Sequence, residues 1–288
     1  MPMSMPPGAT APEENVTGRS SSRQVPIDDS NRPGAGRSGE NRADWKTQDA
    51  GVPAEGGVFQ KNPARLSLLV TRLFPPGVVG AELRTAGDPS LLLPDEARFL
   101  GRAVPKRVQE FAAGRLCARR ALAELGFRDY PLRMNGDRRP QWPSPVIGSI
   151  THTGGICGAA VAERRQFRAI GLDMEIVGRV TPEIWPTICT PEEAAWLDAL
   201  REPERSRCAA LIFSAKESFY KCQYGVTRQW LEFDDVTLEL PSGAAGAGCF
   251  ALRPRRRIAS LEHGTLPLTG RFEFHGSFVA TGMVLAAH

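Results

Sequence analysis

A short apolar run that ends in two carboxylates constrains the fold of this chain more than any other feature. Residues 169–172 (AIGL) predict a strand, and the alternation of side chains along a strand sends the following Asp173 and Glu175 out of one face. Two neighbouring carboxylates repel each other unless a cation lies between them, and Mg²⁺ favours such hard oxygen ligands. The pattern therefore predicts a strand that presents a divalent metal site.

A second segment, residues 213–221 (FSAKESFYK), predicts a helix with charged side chains. Glu217 and Lys221 lie one helical turn apart, and Lys216 comes just before them. A third carboxylate and two lysines could thus face the carboxylate pair, which is a set of groups suited to phosphate transfer. An exposed strand edge and a helix with an ordinary Glu–Lys pair would explain each segment taken alone.

Together, in this order and spacing, the two segments resemble the 4'-phosphopantetheinyl transferases. The closest likeness is to the longer, monomeric kind, which includes the surfactin-type enzymes, enterobactin synthetase component D and the mycobacterial carrier-protein activating transferases. The family pattern G-[IL]-D-x-E, followed by [FW]-x-x-K-E-[SA]-x-x-K, is present at every specified position. The resemblance covers about residues 66–286 and implies two pseudo-symmetric α/β halves with the active site between them.

A basic stretch, residues 106–119, resembles the family's helix that grips coenzyme A. Arg115 and Arg119 lie one turn apart, and Arg107 falls on the same broad side of the predicted helix. Guanidinium groups match phosphate oxygens in pairs, and coenzyme A carries a 3'-phosphate as well as a pyrophosphate. A solvated basic helix face is the alternative interpretation for this stretch alone.

Two further segments resemble parts of the same coenzyme site. Residues 148–154 (GSITHTG), followed by Gly155, resemble the family's G-S-[IL]-[ST]-H-x-x-G, which predicts that Thr151 and His152 line a phosphate. A histidine after an apolar strand can also be a purely structural residue. Residues 138–143 (RRPQWP) occupy the position where a lysine or arginine often meets the 3'-phosphate. Arg139 is one candidate, and the choice between Arg138 and Arg139 stays open.

The resemblance implies transfer of the 4'-phosphopantetheine arm from coenzyme A to a serine of an apo acyl or peptidyl carrier protein. It implies Mg²⁺ as cofactor, held by Asp173, Glu175 and Glu217. Glu217 is the expected base for the serine, directly or through a metal-bound water. Lys221 would neutralise or protonate the departing phosphate, and Lys216 would bind a phosphate oxygen.

Two other classes of function remain as alternatives. One is another Mg²⁺-dependent phosphotransferase, such as a nucleotide kinase, which is disfavoured because the chain has no G-x-x-x-x-G-K-[ST] loop. The other is a catalytically silent module that binds coenzyme A or a carrier protein. The complete set Asp173, Glu175, Glu217 and Lys221 argues against it, since a silent relative would be free to lose these residues.

Composition sets the cellular context that we expect. The chain is 41% hydrophobic and 24% charged, with a net charge of +4, which suits an anionic small molecule better than a nucleic-acid surface. Six scattered cysteines without a C-x-x-C pair, and only four histidines, predict neither a zinc site nor a disulfide framework. The cysteine pattern predicts a reducing cytoplasm, and without a signal peptide or a long apolar run we expect no membrane binding. The family resemblance implies a monomer. Its partners would be apo carrier proteins of fatty-acid, polyketide or nonribosomal-peptide synthases, including those of siderophore biosynthesis.

Local patterns predict an α+β fold that follows a long tail. Residues 1–62 lack the apolar surface to offset their ordering entropy, which predicts a disordered tail before a transferase domain at 63–288 with halves of about 63–165 and 166–288. Helices are predicted over about 96–126 with a break near Pro105, from a Thr190 cap with a Glu193 capping box, and over about 204–224 with Gly225 as terminator. Strands are predicted at residues 66–73, 148–150, 157–162, 168–174, 235–240, 249–252, 271–275 and 277–286.

Overall fold

A computed structural model of the chain describes residues 63–240, 245–258, 261 and 268–287. The predicted tail at 1–62 lies outside these residues. The first part of the chain forms β1 (Arg65–Leu66), α1 (Leu68–Arg72), β2 (Val79–Leu83), α2 (Pro94–Ala97), α3 (Pro105–Glu124), β3 (Val146–Thr153) and β4 (Ile156–Glu163). The second part forms β5 (Phe167–Ile176), α4 (Trp185–Ile188), α5 (Pro191–Ala199), α6 (Glu204–Thr227), β6 (Val236–Glu239), β7 (Ala247–Pro254), β8 (Leu268–His275) and β9 (Phe278–Ala286).

Two antiparallel sheets, each covered by a long helix, make up the fold. The first sheet has the strand order β1-β2-β4-β3, and α3 packs against its β2 and β4 strands. The second sheet has the order β5-β9-β8-β7-β6, and α6 packs against β5 and β9. The predicted α+β class is therefore confirmed. The predicted boundary between halves, near residue 165, lies in the turn between β4 and β5.

The long helix α3 follows the signals that its sequence carries. Pro105 occupies the first helical position, where its missing N–H leaves no intrahelical hydrogen bond unmade. Small apolar residues bury the middle of the helix, including Ala112, Leu116 and Ala121, each 0% exposed. Gly126 has a φ of +88° just after the helix ends, as glycine allows without steric cost. The predicted stop at Gly126 and the predicted break near Pro105 are confirmed, since the stretch near Glu96 forms the separate helix α2.

Two of the predicted elements are wrong in the structure. The stretch 66–73 is not one strand, because Ser67 ends β1 and its hydroxyl accepts the Val70 N–H (3.1 Å) to cap α1. Gly225 does not end α6, which continues to Thr227. The helix ends instead at Arg228, whose φ of +58° places it in the left-handed region. By contrast, the Thr190 capping box is confirmed at the start of α5.

A close approach between β5 and α6 sets the position of the charged groups. Gly171 lies on β5 directly under α6, and a Cβ atom there would lie 1.8 Å from the Ser218 carbonyl oxygen. Only glycine lets the strand and the helix come this near. Asp173 and Lys221, each a few residues further along its element, are thereby brought together. Within the described residues, no helix is both long and apolar enough to cross a membrane.

Candidate functional site

A basic cavity of about 310 Å³ lies where α3, β3 and the end of α6 meet. The loop at residues 134–142 and the turn that precedes β5 complete its wall. Its cationic lining consists of Arg107, Arg115, Arg138, Arg139, Arg164, Arg168, Lys221 and Arg228, together with His152. Of the described residues that line the cavity, Glu110 alone carries an acidic side chain. So strong an excess of positive charge in one cavity favours a polyanionic ligand.

The predicted carboxylate pair lies on β5, where Asp173 contacts Thr151 and Lys221 of the cavity lining. Asp173 is 5% exposed, and its Oδ1 accepts hydrogen bonds from Lys221 Nζ (2.7 Å) and Thr151 Oγ1 (3.0 Å). Its Oδ2 is buried and accepts no hydrogen bond within the described part of the chain. Burial, and then the charge of Asp173, raise the pKa of Glu175 to about 7. The predicted proximity of Asp173, Glu175 and Lys221 is thus seen in the structure.

These observations fit a divalent cation at Asp173 and Glu175. A buried carboxylate oxygen without a donor, beside a carboxyl group whose ionisation is disfavoured, is what a cation between the two would stabilise. No group of three or more His, Cys, Asp or Glu side chains that could hold a metal ion occurs in the described ranges. The metal assignment of Glu217 stays a prediction.

Arg107 and His152 join α3 to β3 at one end of the cavity. Arg107 Nη1 lies 3.1 Å from His152 Nε2, and the guanidinium can only donate in this contact. Glu110 Oε2 lies 3.6 Å from the same guanidinium nitrogen. Both predicted coenzyme residues therefore lie in one polar cluster, and they face the cavity.

Arg115 is a buried cation at the cavity wall. Desolvation lowers the pKa of its guanidinium to about 10, and the group lies over the Phe111 ring at 4.1 Å. Its Nε makes no hydrogen bond within the described residues. A buried cation with an unsatisfied donor is costly unless an anion binds to it, so Arg115 has the properties of a phosphate ligand.

Two predicted site residues lie outside the cavity and are corrected by the structure. Arg119, one turn beyond Arg115, bonds the Glu96 carboxylate and the Leu91 carbonyl oxygen (2.5 Å). The Lys216 side chain is 1% exposed, and its Nζ bonds Glu193 Oε2 (2.6 Å) and the Ile188 carbonyl oxygen (2.9 Å). Lys216 is offset by about 100° around α6 from Glu217, so it faces the core. Both cations stabilise the fold and are not available to a phosphate.

The loop that carries Arg138 and Arg139 reaches across to the end of α6. Arg139 Nε donates to Asp137 Oδ2 (2.6 Å), and its guanidinium lies 5.6 Å from the centre of the Tyr224 ring. Arg228 Nη1 lies 3.9 Å from the same Asp137 oxygen. Since Arg138 also lines the cavity, both arginines stay candidates for the 3'-phosphate.

Three lining arginines were missed by the sequence reasoning. Arg164 and Arg168 flank the turn between β4 and β5, and Arg228 follows α6. None of them lies in a motif, and only the fold brings them to the cavity. The one signal for them in the sequence is the local density of arginine, which does not indicate where each side chain lies in the fold.

Comparison with known proteins matches both parts of the chain. Residues 95–162 match the family described as 4'-phosphopantetheinyl transferase N-terminal domain, and residues 169–278 match the 4'-phosphopantetheinyl transferase superfamily. The 4'-phosphopantetheinyl transferase Svp of Streptomyces mobaraensis is 41% identical over 208 residues, which are 69% of this chain and 81% of Svp.

Two other relatives are similar over most of their length. The 4'-phosphopantetheinyl transferase Npt of Nocardia iowensis is 34% identical over 226 residues, covering 76% of this chain and 98% of Npt. The 4'-phosphopantetheinyl transferase PptT of Mycobacterium tuberculosis is 33% identical over 195 residues, covering 67% of this chain and 86% of PptT.

Proposed function

Because this chain belongs to the 4'-phosphopantetheinyl transferase superfamily, we propose that it transfers the 4'-phosphopantetheine arm of coenzyme A to a serine hydroxyl of an apo carrier protein. The products are the holo-carrier protein and adenosine 3',5'-bisphosphate. The observation that carries the proposal is the contact between Asp173 and Lys221 at the edge of a cavity lined by arginines. This arrangement joins a candidate metal ligand, a cation for the departing phosphate and a polyanion site.

Binding of coenzyme A is the task of the arginine-lined cavity. Arg115 acts in a poorly hydrated environment, where a charge-assisted hydrogen bond to phosphate is stronger than in water. Arg107 with His152 on one side, and Arg139 on the other, supply further donors to a ligand with three phosphates. Because positioning dominates phosphoryl-type transfer, this binding contributes directly to the rate.

Mg²⁺, which Asp173 and Glu175 would hold, supplies charge neutralisation for the pyrophosphate when it is bound. Lys221 Nζ is placed by its 2.7 Å bond to Asp173 beside this position, so its ammonium can stabilise the departing phosphate. Glu217 precedes Lys221 by one turn on α6. We assign it the role of the general base that accepts the proton of the attacking serine.

We extend the proposal to the cellular setting expected from the sequence. The enzyme would act as a cytoplasmic monomer on carrier proteins of fatty-acid, polyketide or nonribosomal-peptide synthases. Carrier proteins usually present acidic surfaces near the modified serine, and the basic cavity mouth would favour their encounter with the enzyme.

Mass spectrometry of purified apo carrier proteins tests the function. Incubation with the full chain, Mg²⁺ and coenzyme A should give a mass gain of about 340 Da, as the transfer reaction requires. Asp173→Ala should abolish the gain, and its thermal midpoint reports the cost of leaving the largely buried Lys221 ammonium without its carboxylate. A wild-type protein that binds coenzyme A and modifies no carrier protein would instead be the silent binding module.

A further inference from the structure

The two sheets meet at β3 and β5, the outermost strands on facing sides of their sheets. β3 pairs with β4 on its other side, and β5 pairs with β9. Along β3, the hydroxyl residues Ser149, Thr151 and Thr153 alternate with other residues, so all three project from one face. They are 3–6% exposed, so water does not solvate them freely.

Hydroxyl groups replace a backbone hydrogen-bond ladder at this junction. The Leu172 N–H donates to Ser149 Oγ (3.0 Å), and the Met174 N–H donates to Thr151 Oγ1 (3.2 Å). Backbone groups at a sheet edge need such partners when they are buried. The hydroxyls therefore join the two sheets, and this role alone would explain why polar residues occur here.

Two of the three hydroxyls make a second bond that the junction does not require. Thr151 Oγ1 donates to Asp173 Oδ1 (3.0 Å), and Thr153 Oγ1 donates to Glu175 Oε1 (3.4 Å). A hydroxyl has one proton to donate. Thr151 accepts from Met174, and Thr153 accepts from Arg179 Nη1 (3.4 Å), so each proton is directed to its carboxylate.

The bonds from the protein converge on one oxygen of each carboxylate. Asp173 Oδ1 takes the bonds from Thr151 and Lys221, whereas its buried Oδ2 accepts none within the described residues. Glu175 Oε1 takes the bond from Thr153 and a second from the Ile176 N–H (2.6 Å). The strand fixes the position from which each acidic side chain extends, and the hydrogen bonds from the threonines fix the orientation of each carboxylate group.

We propose that Thr151 and Thr153 are positioning residues, whose hydroxyls orient the Asp173 and Glu175 carboxylates toward a shared divalent cation. The inference deepens the proposed function and rests on it for the use of that cation. It gives Thr151 a different role from the phosphate contact that the sequence pattern predicts. Ser149 joins the sheets in the same way and contacts no carboxylate, so it separates the structural role from the positioning role.

Isosteric variants test the assignment through cation binding measured without coenzyme A or carrier protein. Thr151→Val and Thr153→Val remove a hydroxyl and keep the side-chain shape, Thr151→Ser keeps the hydroxyl, and Ser149→Ala is the matched control. Mn²⁺ serves as the probe, followed by its electron paramagnetic resonance signal and by calorimetry on the full chain. Thermal midpoints report the structural contribution of each hydroxyl.

We expect Thr151→Val to weaken Mn²⁺ binding about tenfold or more, as loss of a hydrogen bond to a metal ligand typically does. Thr153→Val should act in the same direction, Thr151→Ser should restore binding, and Ser149→Ala should lower the midpoint without changing affinity. The proposal is overturned if the valine variants bind Mn²⁺ like the wild type, or if Ser149→Ala weakens binding equally. Since transfer is assayed separately, a wild type that binds Mn²⁺ and modifies no carrier protein would refute only the proposed function.

Discussion

At the scale of single residues, Glu175 connects the electrostatics of the site with stability. Its pKa is raised from 4.5 to about 7 in the folded chain, because burial and Asp173 disfavour the charged form. At a pH between these two values, Glu175 therefore keeps its proton in the folded chain and releases it in the unfolded chain. The stabilisation from this proton is complete below about pH 4.5 and is lost as the pH rises through about 7.

We predict that the metal-free protein becomes less stable between pH 5 and 8, by up to about 3 kcal/mol from this group. Glu175→Gln should remove most of the loss, because an amide does not ionise. Denaturant unfolding in the presence of a chelator, at several pH values, measures both proteins. Equal slopes in the wild type and the glutamine variant would show that another group titrates.

Lys216 provides a second prediction at this scale, because it is buried with Glu193. Lys216→Met leaves the Glu193 carboxylate buried without its cation, and we expect a loss of about 3–5 kcal/mol in the free energy of unfolding. Lys106→Met is the matched surface control. Its side chain is 84% exposed with the ammonium 4.0 Å from Glu110, and we expect a change within about 0.5 kcal/mol.

Urea unfolding compares the two lysine variants. A Lys216→Met protein that keeps wild-type stability and shows a raised KM for coenzyme A would reverse our correction and return Lys216 to the phosphate site.

The fate of the two lysines shows what sequence reasoning can and cannot predict about single residues. Strand alternation placed Asp173 and Glu175 on one face, and helical spacing placed Lys221 one turn from Glu217, since both rules act locally. The family resemblance, not either rule, predicted that the two segments meet. The burial of Lys216 depends on Glu193, which lies on a different helix and shares no motif with it. The orientation of an ionisable group is thus set by tertiary partners that a local pattern does not contain.

At the scale of secondary-structure elements, the contact between β5 and α6 sets the geometry of the candidate site. Gly171→Ala places a methyl group against the Ser218 carbonyl oxygen, which must push the helix from the strand. We predict a loss of about 3 kcal/mol in stability. Since Glu217 and Lys221 move with α6, kcat should fall about hundredfold, as a displacement near 1 Å can cause.

Gly225→Ala is the control for the stability part of this prediction, because it lies on the same helix and its Cβ would meet nothing within 4 Å. Since Gly225 also lines the cavity, this variant does not serve as a control for kcat. It should stabilise the chain by up to about 1 kcal/mol. Denaturant unfolding and steady-state kinetics measure both variants. A Gly171→Ala protein with wild-type stability and kcat would show that the two elements are not held in close contact.

Element type was predictable where the pattern was long and capped, and less so where it was short. The helices α3 and α5 carry proline and capping signals, and both were found. The apolar stretch 66–73 is too short for periodicity to separate strand from helix. Ser67, which caps α1, was the available signal for the correct assignment.

At the scale of the whole molecule, the cationic side chains that line the cavity come from the helices, loops and turns around both sheets. Arg107 and Arg115 come from the helix of the first sheet, whereas Lys221 and Arg228 come from the helix of the second and its end. The sequence motifs predicted those lining residues that follow helical spacing. The loop and turn arginines depend on how the sheets meet, and β3 and β5 meet through side chains that no backbone pattern specifies.

A ligand that contacts both halves should stabilise the chain as one unit. At a hundred times its Kd, coenzyme A adds about 2.7 kcal/mol to the free energy of unfolding, so the thermal midpoint should rise in a single transition.

We predict that Arg139→Ala, which removes a cation from the loop across from Tyr224, weakens coenzyme A binding about ten- to hundredfold. The midpoint shift at a fixed coenzyme concentration should shrink accordingly. The shift with 3'-dephospho-coenzyme A should change less if Arg139 meets the 3'-phosphate. Arg201→Ala, an exposed arginine outside the cavity lining, is the control. Equal shifts in the Arg139 and Arg201 variants, with either donor, would place the adenosine end of the coenzyme away from this loop.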